Sequence, residues 1–438
     1  MSAIPLPPHR LPALDPLING DLWSRWAGEG RVFPLDDFRV AVRYLRLKPE
    51  TSCRLGVIST SGGKGENPPE GCLLHLYPDR ERAEVAFAKL TRRESFVPED
   101  GFAPFLDEET PTIVAPFPND PELPSLRYVY DPTRFRRTLS RTRPPAYPKE
   151  EWRLQKRHIR TELLAYKPGR RAVFRVRVGV RHLERDEKVR LFWHIKVGTP
   201  EITDRNLLLA EWFSEAVGDR YEWRVPRPWG YSQTRSMVST EWVPGEPLEG
   251  DPTHLERVGR ALGELHGLSA DASGLPTAFD APAESAALAS LAKDLAHLVP
   301  EATDRWSAVA TTLAERLAPL FADPATVVHG DFHRDQVVID EGRVVIVDLD
   351  NAGLGVPLLD VAAFCASRIE QGRASDEDEA FLTGYRTTGR TVEESTLSVA
   401  IAHQLFRRAI FPFRDLHPDW PTELLRRLEQ VEEILSDK

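Results

Sequence analysis

The chain has 438 residues, 41% hydrophobic and 28% charged, and its 57 Lys and Arg stand against 67 Asp and Glu for a net charge of −10. That length calls for two or three packed units. The acidic balance argues against a nucleic-acid or membrane-surface binder, and no apolar run reaches the ~20 residues of a membrane span.

Residues 1–20 are Pro-rich, lack the layout of a signal peptide and read as a flexible lead. Two strand-like runs follow, Arg54–Ser59 and Cys72–Tyr77. The loop between them is punctuated by Gly62, Gly63, Lys64, Gly65, Pro68 and Pro69. It is not a Walker loop, because Lys64 is followed by Gly65 rather than by Ser or Thr. Residues 134–160 are rich in Arg and Lys and read as a solvated connecting helix rather than a nucleic-acid patch. Leu163–Tyr166, Ala172–Val180 and Arg190–Val197 predict strands, 206–217 a helix, and Met237–Val243 a buried strand. Beyond Pro244 the chain is mainly helical, with amphipathic stretches at Leu255–Leu268, Thr303–Leu320 and Pro421–Leu435. The exception is Thr326–Asp350, where Val337–Ile339 and Val344–Val347 flank Glu341 and Gly342 as a hairpin signal. Cys53, Cys72 and Cys365 form neither a metal pattern nor a disulfide framework, so a reduced, cytoplasmic protein is expected.

The first half of the chain repeats itself. Leu45–Pro49 (LRLKP) is echoed by Leu164–Pro168 (LAYKP), and Leu74–Tyr77 (LHLY) by Trp193–Lys196 (WHIK). The spacing from Lys48 to His75 equals that from Lys167 to His194. Thr112–Phe117 before Pro118 matches Val238–Val243 before Pro244. These echoes predict that residues ~36–125 are a diverged copy of ~160–245.

The chemistry-bearing segment is His329–Gln336 (HGDFHRDQ), followed by an apolar run ending in Val347–Asp350 (VDLD). Phosphoryl transfer from ATP needs a carboxylate to orient and deprotonate the acceptor hydroxyl, and oxygen ligands to hold Mg²⁺ on the phosphates. Asp331 suits the base. Gln336 and Asp348 suit the metal, because the hairpin folds Asp348 back beside the loop. The spacing matches the protein-kinase loop and its metal-binding Asp.

Here the sequence resembles the aminoglycoside phosphotransferase and choline kinase superfamily, over about residues 160–410. That group shows H-G-D-x-H-x-x-N, then I-D-x-x-x-x-G-x-G-D-P-x-x-D-L-A. This chain has His329–Gln336, Val347–Asp348 and Gly353–Ala362 (GLGVPLLDVA), with Gln336 for Asn and Val356 for Asp. The Gln resembles the maltokinase and glucosamine-kinase branch, which carries an extra N-terminal domain; the small residue usual before it is Asp335 here. The resemblance implies that Lys196 contacts ATP phosphates and that Glu211 is its ion-pair partner, with Glu215 the alternative. It implies a hinge at Glu241, Trp242 and Val243 pairing with adenine, and a nucleotide-covering loop at Tyr166–Val173 with a single Gly169. It also implies that Asp360 braces the catalytic loop. His333 reads as a structural hydrogen bond, and Glu264 and His266 as parts of a packing helix.

The expectation is an α+β, two-lobe protein-kinase-like fold with an extra N-terminal α+β domain resembling a degenerate N-lobe. Its parts are residues 1–149, a kinase N-lobe at 150–245 and a helical C-lobe at 246–438. The expected function is ATP- and Mg²⁺-dependent phosphorylation of a small-molecule hydroxyl on a sugar, amino sugar or aminoglycoside, without nucleic acid or membrane. Ser375–Glu379 (SDEDE) reads as a solvated acidic loop near the acceptor pocket. The rivals are a nucleotide-binding pseudokinase scaffold and a Mg²⁺-dependent phosphate-ester hydrolase.

Overall fold

The computed structural model describes residues 5–59, 71–92, 95, 97, 102–268, 274–323, 325–373 and 375–436. The Gly- and Pro-punctuated loop at 62–69 lies outside them. The chain divides into two compact units. One comprises residues 1–207, 228–242 and 413–419; the other comprises 208–227, 243–412 and 420–438.

The first unit holds two antiparallel sheets. Strands β1 (Val42–Lys48), β2 (Ser52–Ile58), β3 (Gly71–Leu76), β4 (Phe105–Leu106) and β5 (Thr112–Pro116) lie in the order β1-β2-β3-β5-β4. Strands β6 (Trp152–Lys167), β7 (Arg171–His182), β8 (Lys188–Gly198), β9 (Pro228–Ser232) and β10 (Met237–Glu241) lie in the order β6-β7-β8-β10-β9. A helix follows the third strand of each: α1 (Arg80–Thr91) after β3 and α2 (Pro200–Val217) after β8. The two sheets therefore share one topology. They also share a cross-strand pair, since Arg54 faces His75 and Arg175 faces His194. Both members of the echoed His pair thus occupy the same place on the third strand.

Alternation builds most of the second sheet, with Val173 buried out of phase. Along β7, Ala172, Phe174, Val176, Val178 and Val180 are buried, while Arg177 and Arg181 face solvent. Phe117, Leu123, Leu126, Phe135 and Leu139 from the front half pack into one core with Trp152, Phe174, Val176, Trp193 and Ile195. The Thr142 carbonyl accepts from the Trp193 indole and the Ser239 hydroxyl, both at 3.0 Å.

Two expectations for this region change. From Leu11 onward the lead is not loose. Leu14–Ile18 and Asp21–Gly28 are helical, and Leu11, Leu14, Leu17, Leu22, Trp23 and Trp26 are buried at helical spacing. The connecting helix in the basic stretch exists, as Pro132–Arg141 capped by the Asp131 carboxylate. It buries Phe135 and Leu139 rather than being wholly solvated, and β6 already begins at Trp152.

The second unit is helical around two small sheets. Its strands are β11 (Glu246–Pro247), β12 (Thr326–Val328), β13 (Val337–Asp340), β14 (Arg343–Ile346) and β15 (Gly353–Gly355). Strands β11, β13 and β14 form one sheet; β12 and β15 form the other. The helices include α3 (Pro252–His266), α4 (Ala281–Leu298), α5 (Thr303–Leu317), α6 (Pro357–Glu370), α7 (Asp376–Arg386), α8 (Glu394–Arg408) and α9 (Trp420–Ser436). The expected hairpin is β13–β14, closed by Glu341 and Gly342, both at positive φ. The chain thus adopts an α+β fold, with strands and helices segregated as the sequence predicts.

Candidate active site

The loop His329–Gln336 runs from β12 to β13, and its backbone is fixed from below. Asp360, in the first turn of α6, is buried and accepts the N–H groups of His329 at 2.6 Å and Gly330 at 2.9 Å. The His266 Nε2–H donates to the same carboxylate at 3.1 Å, and its Nδ1 accepts from the Tyr385 hydroxyl at 2.9 Å. Burial lowers the His266 pKa, which keeps the ring neutral in that role. His266 is thus a packing residue and also part of the brace. Its spacing within α3 gave no sign of the second part, because Asp360 lies far along the chain. Glu264 accepts from the Trp223 indole at 2.9 Å, which is packing alone.

His329 is buried and donates from Nε2 to the Val347 carbonyl at 2.9 Å, tying the loop to the exit of β14. Gly330 sits at φ +81, where an added Cβ would lie 2.2 Å from the Asn351 carbonyl oxygen. Only glycine fits there.

Against this rigid backbone, the Asp331 side chain is 48% exposed, with Arg408 Nη2 4.0 Å away. Phe332 turns inward and is buried against His329 and Phe364. His333 accepts the Gln336 amide N–H on Nε2 at 2.9 Å, the structural hydrogen bond expected of it. Burial lowers the His333 pKa, so it stays a neutral acceptor. With its nitrogen engaged there, Gln336 has its amide oxygen to offer elsewhere. Val337 faces Ile346, and the Val347 N–H donates to the Gln336 carbonyl at 2.9 Å. Asp348 is the next residue, in the left-handed region at φ 57, ψ 52. That conformation costs a non-glycine residue about 1–2 kcal/mol and concentrates at functional sites.

An amide oxygen and a carboxylate suit Mg²⁺, which binds few protein ligands and fills its octahedron with water and phosphate. Among the described residues no group of three or more His, Cys, Asp or Glu is placed to hold a metal.

The remaining predicted residues divide between the units. Lys196 is half-buried on β8, facing Val173 on one side and Val238 on the other. Glu241 ends β10 opposite Trp193, and the Trp242 ring lies 5.2 Å beneath the Arg175 guanidinium. Val243, half-buried, opens the next segment of the second unit, where Glu211 and Glu215 are exposed on α2. Tyr166 and Gly169 are engaged by the front half. Tyr166 is buried and its hydroxyl donates to Asp120 at 2.8 Å, while the Gly169 N–H donates to the same oxygen at 2.7 Å. The turn expected to cover a nucleotide is thus held by a front-half carboxylate whose own pKa is raised by burial. No spacing rule links Asp120 to it.

The acidic run is not a loop. Asp376–Glu379 form the first turn of α7, where carboxylates suit the helix dipole. Glu377 binds Arg334, itself 2% exposed, at 2.6 Å, and Asp378 binds Arg368 at 2.7 Å. Glu377 thus ties the His329–Gln336 loop to α7, and Asp378 ties α7 to α6.

Residues 211–394 match the model of the Phosphotransferase enzyme family. That span contains the whole braced loop and hairpin. An uncharacterized protein of Deinococcus radiodurans is 28% identical over 197 residues, which are 40% of this chain and 53% of the relative. The chain therefore spans about half the length of that curated relative. Similar solved structures include choline kinases of Cryptosporidium parvum (11% identical, 64% of this chain and 90% of that one, TM-score 0.45) and Streptococcus pneumoniae (16%, 64% and 95%, 0.46). A macrolide 2'-phosphotransferase from Brachybacterium faecium is 15% identical, over 65% of this chain and 94% of its own, with TM-score 0.40.

Proposed function

We propose that this chain, which carries the phosphotransferase family pattern in residues 211–394, is a kinase that moves the ATP γ-phosphoryl group to a hydroxyl of a small molecule. The observation that carries the reading is the braced loop: Asp360 fixes its backbone, while Asp331 stays exposed beside the hairpin that offers Gln336 and Asp348. In this reading Asp331 orients the acceptor hydroxyl and takes its proton as the hydroxyl oxygen bonds to phosphorus. The bond to the bridging oxygen breaks and ADP leaves. Gln336 and Asp348 would hold Mg²⁺, which would supply charge neutralisation at the phosphates. Lys196 neutralises phosphate charge, with Glu211 as its partner. Glu241 and Val243 offer backbone groups to adenine. The acceptor is proposed to be a sugar, an amino sugar or an aminoglycoside.

A second reading, a nucleotide-binding scaffold without turnover, gains support from one contact. The Gly169 N–H, which a covering turn offers to phosphate, is already given to Asp120. ATP consumption by the full chain over sugars, amino sugars, aminoglycosides and amino alcohols separates the two. Acceptor-dependent ADP release with Mg²⁺ supports the kinase. Tight Mg²⁺·ATP binding with no turnover on any acceptor supports the scaffold.

A further inference from the structure

Arg408 ends α8, and its two terminal nitrogens do different work. Nη1 donates to Glu370 at 2.9 Å, while Nη2 stands 4.0 Å from an oxygen of Asp331, too far to close a hydrogen bond. Glu370 is shared: its other oxygen accepts from Arg427 Nη1 at 3.0 Å. That same nitrogen also donates to the Arg408 carbonyl at 2.8 Å, capping the end of α8. Both the backbone and the side chain of Arg408 are therefore clamped by one pair of residues. The Arg408 side chain is 11% exposed, and Glu370 and Arg427 are each 20% exposed. Here Glu370 holds one edge and directs the other toward the loop.

A base carboxylate and a phosphoryl group in transit are both negative. Bringing them together needs a cation between or beside them, fixed before the reaction so that nothing reorganises. We propose that Arg408 is a further catalytic residue, whose Nη2 edge contacts the equatorial oxygens of the phosphoryl group as it passes Asp331. The inference rests on the kinase reading above. It adds a cation from α8 that no spacing within the His329–Asp348 segment reveals.

The test uses the full chain and two probes: Mg²⁺·ADP alone, and Mg²⁺·ADP with aluminium fluoride, which mimics the phosphoryl group in transit. Calorimetry gives the affinity for each in the wild type, Arg408→Gln, Arg408→Lys and Arg427→Gln. The wild type is expected to bind the mimic about 10²-fold or more tighter than ADP. Arg408→Gln is expected to lose about 10²–10³ of that preference with Mg²⁺·ADP affinity kept. Arg408→Lys should recover part of it. Arg427→Gln, which breaks the same clamp without facing Asp331, sets how much a purely structural loss lowers the melting temperature. An undiminished preference for the mimic in Arg408→Gln overturns the assignment, as does equal binding of both probes by the wild type. If Arg408→Gln does not fold, Arg408→Lys decides by the same ratio, expected below the wild type. A wild type that binds no Mg²⁺·ADP sinks the kinase reading itself and this inference with it.

Discussion

Asp331 sits on a backbone that two carboxylate-bound N–H groups immobilise, yet its own side chain is half exposed. A group so arranged is poised for a partner that arrives from solvent. If Asp331 takes the acceptor proton, Asp331→Asn removes the base while keeping size and polarity. The expected loss in kcat is roughly 10²–10⁴. Nucleotide affinity should hold, because the contribution appears only in the transition state. Wild-type turnover by the Asn variant would exclude the role. The metal pair makes a separate prediction. Asp348→Ala leaves one amide oxygen where Mg²⁺ needs a carboxylate, so nucleotide binding should lose its Mg²⁺ dependence. Gln336→Asn keeps the oxygen on a shorter arm, and the His333 contact at 2.9 Å must stretch or break; partial activity is expected. Nucleotide titrations with and without Mg²⁺ check both variants, and a normal Mg²⁺ response in Asp348→Ala would remove that residue from the ligand set.

Elements explain which features could be read from sequence. The β13–β14 hairpin was legible because its signals are local: two short apolar runs, and a Glu341–Gly342 turn with both φ positive. The places of Asp331, Gln336 and Asp348 were legible for the same reason, being fixed in spacing by one loop and one hairpin. The supports were not. Asp360 could be suspected only through the family motif, and His266, Tyr385 and Glu377 reach the loop from helices distant in sequence. The same applies to Asp120 on the turn after β6. The lead was misread because Pro residues masked a short helical spacing that Trp23 and Trp26 complete. One element also carries a pH prediction. On β3, His75 is held neutral: burial first, then the Arg54 charge, lower its pKa to about 3, and its Nε2 accepts from Arg54 at 3.5 Å. Because the folded pKa lies below the unfolded 6.5, this stability is complete above about pH 6.5. It is lost as pH falls toward 3, by at most about 1.4 kcal/mol per pH unit for one proton. Urea midpoints from pH 7 to 4 should fall less steeply in His75→Gln than in the wild type. Equal slopes would show that another group carries the acid limb.

At the scale of the molecule, the shared order of the two sheets raises the question of what the front one does. The third strand of the second sheet carries Lys196, whereas the matching place in the first sheet holds Tyr77. Burial raises the Tyr77 pKa to about 12, so it brings no charge to a phosphate at neutral pH, and it pairs with His75 at 2.8 Å instead. The segment after β5 feeds no His-x-Asp loop. Instead it supplies Phe117, Leu123, Leu126, Phe135 and Leu139 to the core under the second sheet, and Asp120 to its turn. Removing residues 1–140 would strip that core of six buried apolar side chains, Val129 among them, each contributing about 1.5–3 kcal/mol on burial. The remaining sheet would expose an apolar face and leave the Gly169 amide and Tyr166 hydroxyl without their acceptor. The truncated chain is therefore expected to be insoluble. In the full chain, calorimetry is expected to find one nucleotide per chain, and Tyr77→Lys should change neither that number nor turnover, since a lone lysine does not rebuild a catalytic loop. Two nucleotide sites, or a soluble and fully active truncation, would instead make the front half an independent module.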